Sequence, residues 1–142
     1  MTSIRIVPWL SRVVLLAAIA VLALISRKFI GNPVEAATAS NMTLNSPLAV
    51  TNLRASFGAF PLGCALFVLV CLANSSLRKT GLGFVALIVG TALAVRIFGI
   101  VADGTLAESL RVLVAETVLL GLSLGAYTGE RLAFGNSASR RA

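Results

Sequence analysis

Apolar residues gather in four long runs, separated by short polar breaks. The runs cover about residues 8–30, 47–73, 80–101 and 110–127, and the first is greasiest over 13–25. Each approaches the ~20 residues that a membrane-spanning helix requires. Lipid offers the backbone no hydrogen-bond partners, so only helices and closed barrels cross it. The runs are continuous rather than alternating, which selects helices over barrel strands. The pattern therefore predicts an all-α, polytopic four-helix membrane bundle forming one domain over 1–142, with a flexible basic tail over 130–142.

Local signals mark the helix ends. Ser46 followed by Pro47 reads as an N-cap with proline at the first helical position. Asn74-Ser75-Ser76 breaks the second run, and Asp103-Gly104 closes the third. Glu108-Ser109 opens the fourth, where Glu108 suits the positive end of the helix dipole. Pro61 lies inside the second run and is expected to kink it. The connection 31–46 is the one long loop. The first run also has the basic start and apolar core of a signal peptide, with Ala37-Thr38-Ala39 as a cleavage site. That site is distant from the core, so the segment is expected to be retained as a helix.

Composition agrees with this picture. Of 142 residues, 58% are hydrophobic and 12% charged, whereas soluble domains are about 45–50% apolar and about 25% charged. A globule this small could not hide so much apolar surface. The net charge of +7 would suggest nucleic acid in a soluble protein. Here the charges flank apolar runs, without interleaved aromatics, so they read as topology signals and no nucleic-acid partner is expected. The chain has no histidine, which removes histidine-ligated haem and zinc; no metal or cofactor is expected. Cys64 and Cys71 are seven apart in one helix, about 10 Å along its axis. That is too far for a disulfide, so both read as small buried hydrophobes.

Loop charges give an orientation. Arg5, Arg12, Arg78, Lys79, Arg131, Arg140 and Arg141 fall on one side, with Glu130 as the opposing charge. Arg27 and Lys28 fall on the other, with Glu35, Asp103 and Glu108. The bias puts both termini in the cytoplasm, and a bacterial inner membrane is the expected location. Trp9 and Tyr127 fall near the same interface, as amphipathic rings should.

Four charges remain within the runs: Arg54, Arg96, Arg111 and Glu116. Counting from the helix ends puts Arg54, Arg96 and Glu116 at nearly one depth, about 10–12 Å below the outer surface. Arg111 is shallower and can snorkel. A charge in lipid is costly, so the three deep residues should face inward and pair. Glu116 between the forks of Arg54 and Arg96 is the expected arrangement. It leaves one positive charge, which a lipid phosphate, a carboxylate ligand, or water and backbone carbonyls would balance. The same cluster would serve equally well as a device fixing helix packing. Ser56, Thr91, Thr117 and Ser123 are expected to bond to backbone or to a neighbouring helix.

Small residues recur every four positions: Ala55, Ala59 and Gly63; Ala86, Gly90 and Ala94; Gly121, Gly125 and Gly129. Such spacing lets helices approach closely. The glycine stripe of the fourth run points away from Glu116, Ser123 and Tyr127. It should meet either the first helix or a partner protein, and the contact within the chain is the expected one.

Arg54-Ala-Ser-Phe57-Gly58, Arg96-Ile-Phe-Gly99, Asp103-Gly104 and Glu116, taken in order and spacing, resemble an uncharacterised family of small bacterial four-helix membrane proteins, a domain of unknown function. The architecture is also similar to the wider DoxX-like group. Val95 departs from the family pattern, in which a glycine often precedes the third-helix arginine. The resemblance implies the four-helix fold and the importance of Arg54, Arg96 and Glu116, but no reaction. No set of residues suits acid–base or nucleophilic catalysis. The reading that fits is a non-enzymatic accessory or scaffold subunit in a larger membrane assembly or a self-association. Its alternative is binding or transport of a small anionic or lipid-like ligand at the Arg/Glu cluster.

Overall fold

The structure is a computed structural model that describes residues 3–139, with side chains described over 9–132. Among the described residues the chain is helical with short breaks: α1 (Ser3–Gly31), α2 (Pro33–Ala39), α3 (Pro47–Leu53), a π-helical turn (Arg54–Ala59), α4 (Phe60–Ala73), α5 (Arg78–Asp103) and α6 (Leu106–Ser139). Four helical rods are long and apolar enough to cross a membrane: Trp9–Gly31, Pro47–Ala73, Arg78–Asp103 and Leu106–Leu132. Arg140 and Arg141, and the side chain of Arg5, lie outside the described residues.

The boundaries follow the sequence signals with instructive departures. Ser46 caps α3, its Oγ accepting from the Ala49 N–H at 3.1 Å. Asn74 ends α4, and its Oδ1 accepts from both the Ser76 N–H and hydroxyl. Gly104 ends α5 with φ of 69°, a left-handed conformation that glycine adopts without steric cost. The fourth rod starts a turn earlier than expected, because the Thr105 carbonyl already accepts from the Ser109 N–H. It also continues through 130–139, so that part of the expected flexible tail is helix. The loop 31–46 contains α2, which starts on Pro33 with Glu35 in its first turn.

Pro61 acts on the turn before it. It lacks an N–H for the Phe57 carbonyl, and its ring would crowd that group. The chain widens there, and the Phe60 N–H donates to the Ala55 carbonyl five residues back. Gly58 sits in this widened turn. A Cβ on it would lie 2.6 Å from Ile30 Cγ1, so hydrogen is what lets α1 approach.

The bundle is tight at one end and splayed at the other. The tight end carries the start of α1 and the close of α6. There Val14, Leu15, Ala18, Val68, Leu82, Val85 and Ala126 form the core. Gly81 lets α5 close on α4 and α1, since a Cβ would meet Cys71 Cβ at 2.7 Å and Leu15 Cδ2 at 3.3 Å. Towards the opposite, loop end, α1 stays with the π-helical turn, where Phe29 and Phe57 stack at 5.2 Å. The buried positions of α5 stop at Ala86, and those described on α6 begin at Ser123. Beyond them α5 and α6 pack on each other, and a cleft separates this pair from α1.

Candidate functional site

The α5–α6 hairpin closes through Gly104, so positions before and after the turn face each other at equal depth. Arg96 and Glu116 are such a pair. Nε donates to Oε2 at 2.8 Å and Nη2 donates to Oε1 at 2.9 Å. Their side chains are 32% and 18% exposed, on a surface that lipid would cover. A planar fork matched to a carboxylate is the strongest form of this contact, and the pair is neutral as a unit.

Arg54 is not part of it. It is exposed at the start of the π-helical turn and borders a shallow depression formed by Gly31, Asn32, Glu35 and Val50. The expected Arg–Glu–Arg cluster is therefore an Arg96–Glu116 pair. Arg54 borders Gly31, Asn32 and Glu35, past the stretch of α1 from Ala18 to Ile25 that shares the cleft with Glu116, so the two do not converge. The extra positive charge expected at the cluster is absent with it. Arg111 is exposed on α6. Among the hydroxyls, Thr91, Thr117 and Ser123 donate to the carbonyls of Leu87, Leu113 and Leu119, as helix-internal hydroxyls commonly do.

Glu116 also borders the cleft. Ala18, Val21, Leu22 and Ile25 of α1, Val85, Ile88, Val89 and Ala92 of α5, and Leu119 of α6 form the rest of its wall, around a cavity of about 170 Å³. The lining is almost wholly apolar. Periodicity alone gave no sign of this space, which depends on how α1 leans.

The small-residue stripes divide. On α5, Ala86 is buried and a Cβ on Gly90 would rest 3.7 Å from Leu120, so this stripe serves the hairpin. On α6, a Cβ on Gly121 or Gly125 would meet nothing within 4 Å. The expected contact of this stripe with α1 is not made, because α6 turns Ser123, Ala126 and Glu130, half a turn round, into the bundle. Gly63 on α4 is likewise open, with Ala55 and Ala59 exposed beside it.

A second polar group sits at the tight end. Glu130 is 5% exposed, with Arg78 Nη1 4.0 Å from its Oε1; that oxygen accepts no hydrogen bond. Lys79 Nζ lies 5.4 Å from the centre of the Tyr127 ring. The sequence reading placed Glu130 among loop charges. Its spacing of four from Ala126 and seven from Ser123, along the buried face, was the available signal. Cys64 and Cys71 are free and buried, with Cys71 pressed against Gly81.

Nothing among the curated proteins and nothing among the solved structures matches the chain. The family model described as "Domain of unknown function (DUF4345)" matches residues 4–127, a span that includes three of the membrane-length rods and most of the fourth, with Arg54 and the Arg96–Glu116 pair, and the chain belongs to that family.

Proposed function

We propose that this protein is a non-enzymatic membrane subunit that packs against a partner helix through the glycine face of α6. The observation that carries this reading is the open surface at Gly121 and Gly125, where an added Cβ would touch nothing. A glycine inside a helix costs about 1 kcal/mol relative to alanine. Among the described residues no close approach offsets that cost. In lipid, a smooth small-residue face gains energy when another helix lies in it. The alternative, an anionic ligand held between two arginines, has less support, because Arg54 stands apart and Glu116 already neutralises Arg96. The proposed setting is a bacterial inner membrane with both termini in the cytoplasm, supported by the distribution of basic residues in the loops.

Extraction of the tagged protein from native membranes into a mild detergent tests the reading. The wild type should run as an assembly larger than a monomer, and Gly121→Leu/Gly125→Leu should release it as a folded monomer. A wild type that runs only as a monomer would refute the proposal.

A further inference from the structure

Two opposite charges at the loop end are not spent on each other. Arg54 and Glu35 border the same depression, of about 470 Å³, together with Gly31, Asn32 and Val50. Both side chains are exposed. Among the described residues the ion pairs within 4.0 Å are Arg78–Glu130 and Arg96–Glu116, so neither Arg54 nor Glu35 has such a partner. Lys28 borders a smaller hollow with Glu35 and Asn32, also outside that distance. The Asn32 side chain makes no cap hydrogen bond. A Cβ on Gly31 would meet nothing within 4 Å, which leaves the depression open.

Its height in the membrane follows from two separate counts. The stretches 12–31 and 54–73 are each twenty residues, about 30 Å of helix, which is the thickness of a hydrocarbon core. One starts at Arg12, and the other ends where Asn74-Ser75-Ser76 begins. With those polar ends at one boundary, Gly31 and Arg54 both reach the opposite boundary. That is the level at which lipid phosphates begin.

The chemistry of an occupant follows from the two charges. The guanidinium of Arg54 presents a planar fork of donors that matches two phosphate oxygens. The Glu35 carboxylate is acceptor-only when ionised. A phosphate diester that carries its own primary ammonium meets both and is neutral as a whole. A headgroup with phosphate alone would leave the Glu35 carboxylate facing an anion. A trimethylammonium headgroup carries the cation but has no N–H to donate.

We propose that this depression binds the headgroup of a phospholipid bearing a primary ammonium, its phosphate accepting from Arg54 and its ammonium donating to Glu35. This goes beyond the packing role assigned to the glycine face, and it concerns the loop-end surface of α1, α2 and the second rod.

Lipid retention tests it. The purified protein in detergent is given equimolar phosphatidylethanolamine, phosphatidylcholine and phosphatidylglycerol with the same acyl chains, and bound lipid is counted by native mass spectrometry. The ethanolamine lipid should be retained at least about tenfold over each of the others, the ratio expected from one hydrogen bond to a charged group. Arg54→Gln should abolish this retention. Arg54→Lys, which keeps the charge and loses the fork, serves if Arg54→Gln does not fold, and should weaken it severalfold. Glu35→Gln should bring the ethanolamine and choline lipids to equal retention. Arg111→Gln, which removes a charge from an exposed position on α6, should change nothing. Phosphoethanolamine without acyl chains, at the lipid's concentration, should not displace it. Equal retention of the three lipids, a preference for phosphatidylglycerol, an unchanged preference in the Arg54 or Glu35 variants, an equal loss in Arg111→Gln, or displacement by phosphoethanolamine would each overturn the proposal.

Discussion

Arg96 and Glu116 meet edge to edge across the α5–α6 hairpin, twenty residues apart in sequence, with both carboxylate oxygens engaged at 2.8 and 2.9 Å. The contact clamps the two helices where the common core has ended. Removing one partner leaves the other charged in lipid. Arg96→Met should destabilise the protein by on the order of 3 kcal/mol. Arg96→Met/Glu116→Leu should recover most of that loss, and Arg96→Lys should cost about 1 kcal/mol through loss of the fork. Equilibrium unfolding in mixed detergent micelles measures all three. A double variant no more stable than Arg96→Met would contradict this account.

Gly81 limits how closely α5 approaches α4. A methyl group there would collide with Cys71 Cβ at 2.7 Å, a main-chain-anchored atom that cannot rotate away. Gly81→Ala should therefore cost about 1–3 kcal/mol, the usual range for overpacking. Cys71→Ala keeps the offending Cβ and should give no relief, whereas Cys71→Gly should give some. Gly63→Ala, into open space, is the control and should be neutral or better for monomer stability. Thermal unfolding of the four variants separates these outcomes.

The four rods were legible because hydropathy and length act along the chain, and lipid enforces helix wherever both are met. Ser46, Asn74 and Gly104 set boundaries through local bonds, so they too could be read directly. What escaped depends on azimuth. Counting residues from a helix end gives a nominal depth for Arg54, Arg96 and Glu116; which rod stands beside which, and at what height, does not follow from counting. The lean of α1 towards Gly58 decided that Arg54 would stand away from Glu116, and it opened the cleft. Likewise the glycine stripe of α6 was correctly placed opposite Ser123, but its neighbour depended on which face α1 occupied. The π-helical turn had a trace in Pro61, whose missing N–H must disturb the preceding turn. That trace suggested a kink and did not specify the extra residue in the coil.

The separation of Arg54 from Glu116 predicts energetic independence. A double-mutant cycle on Arg54→Gln and Glu116→Gln should give a coupling below about 0.5 kcal/mol, as for sites without shared partners. The same cycle on Arg96 and Glu116 should give clear coupling, above about 1 kcal/mol. Both cycles use the same unfolding measurement, so they calibrate each other. A large coupling between Arg54 and Glu116 would restore the three-membered cluster that the sequence suggested.

Glu130 puts the same logic to work at the tight end under harsher terms. Its carboxylate is buried, Oε1 accepts no hydrogen bond, and among the described residues Arg78 is the one cation within 4.0 Å. The pair is long and lacks the matched fork of Arg96 and Glu116, so its value lies in charge balance. Arg78→Met should then destabilise by more than Arg131→Met, which removes an equal charge from an exposed site at the same end. Neutralising the carboxylate should reverse much of the damage, making Glu130→Gln/Arg78→Met more stable than Arg78→Met alone. Glu130→Gln by itself should cost less than about 1 kcal/mol, because it removes a desolvated charge while keeping the size and shape of the side chain. If Arg78→Met and Arg131→Met prove equally mild, Glu130 is not held by Arg78, and the buried carboxylate takes its balance from elsewhere at this end of the bundle.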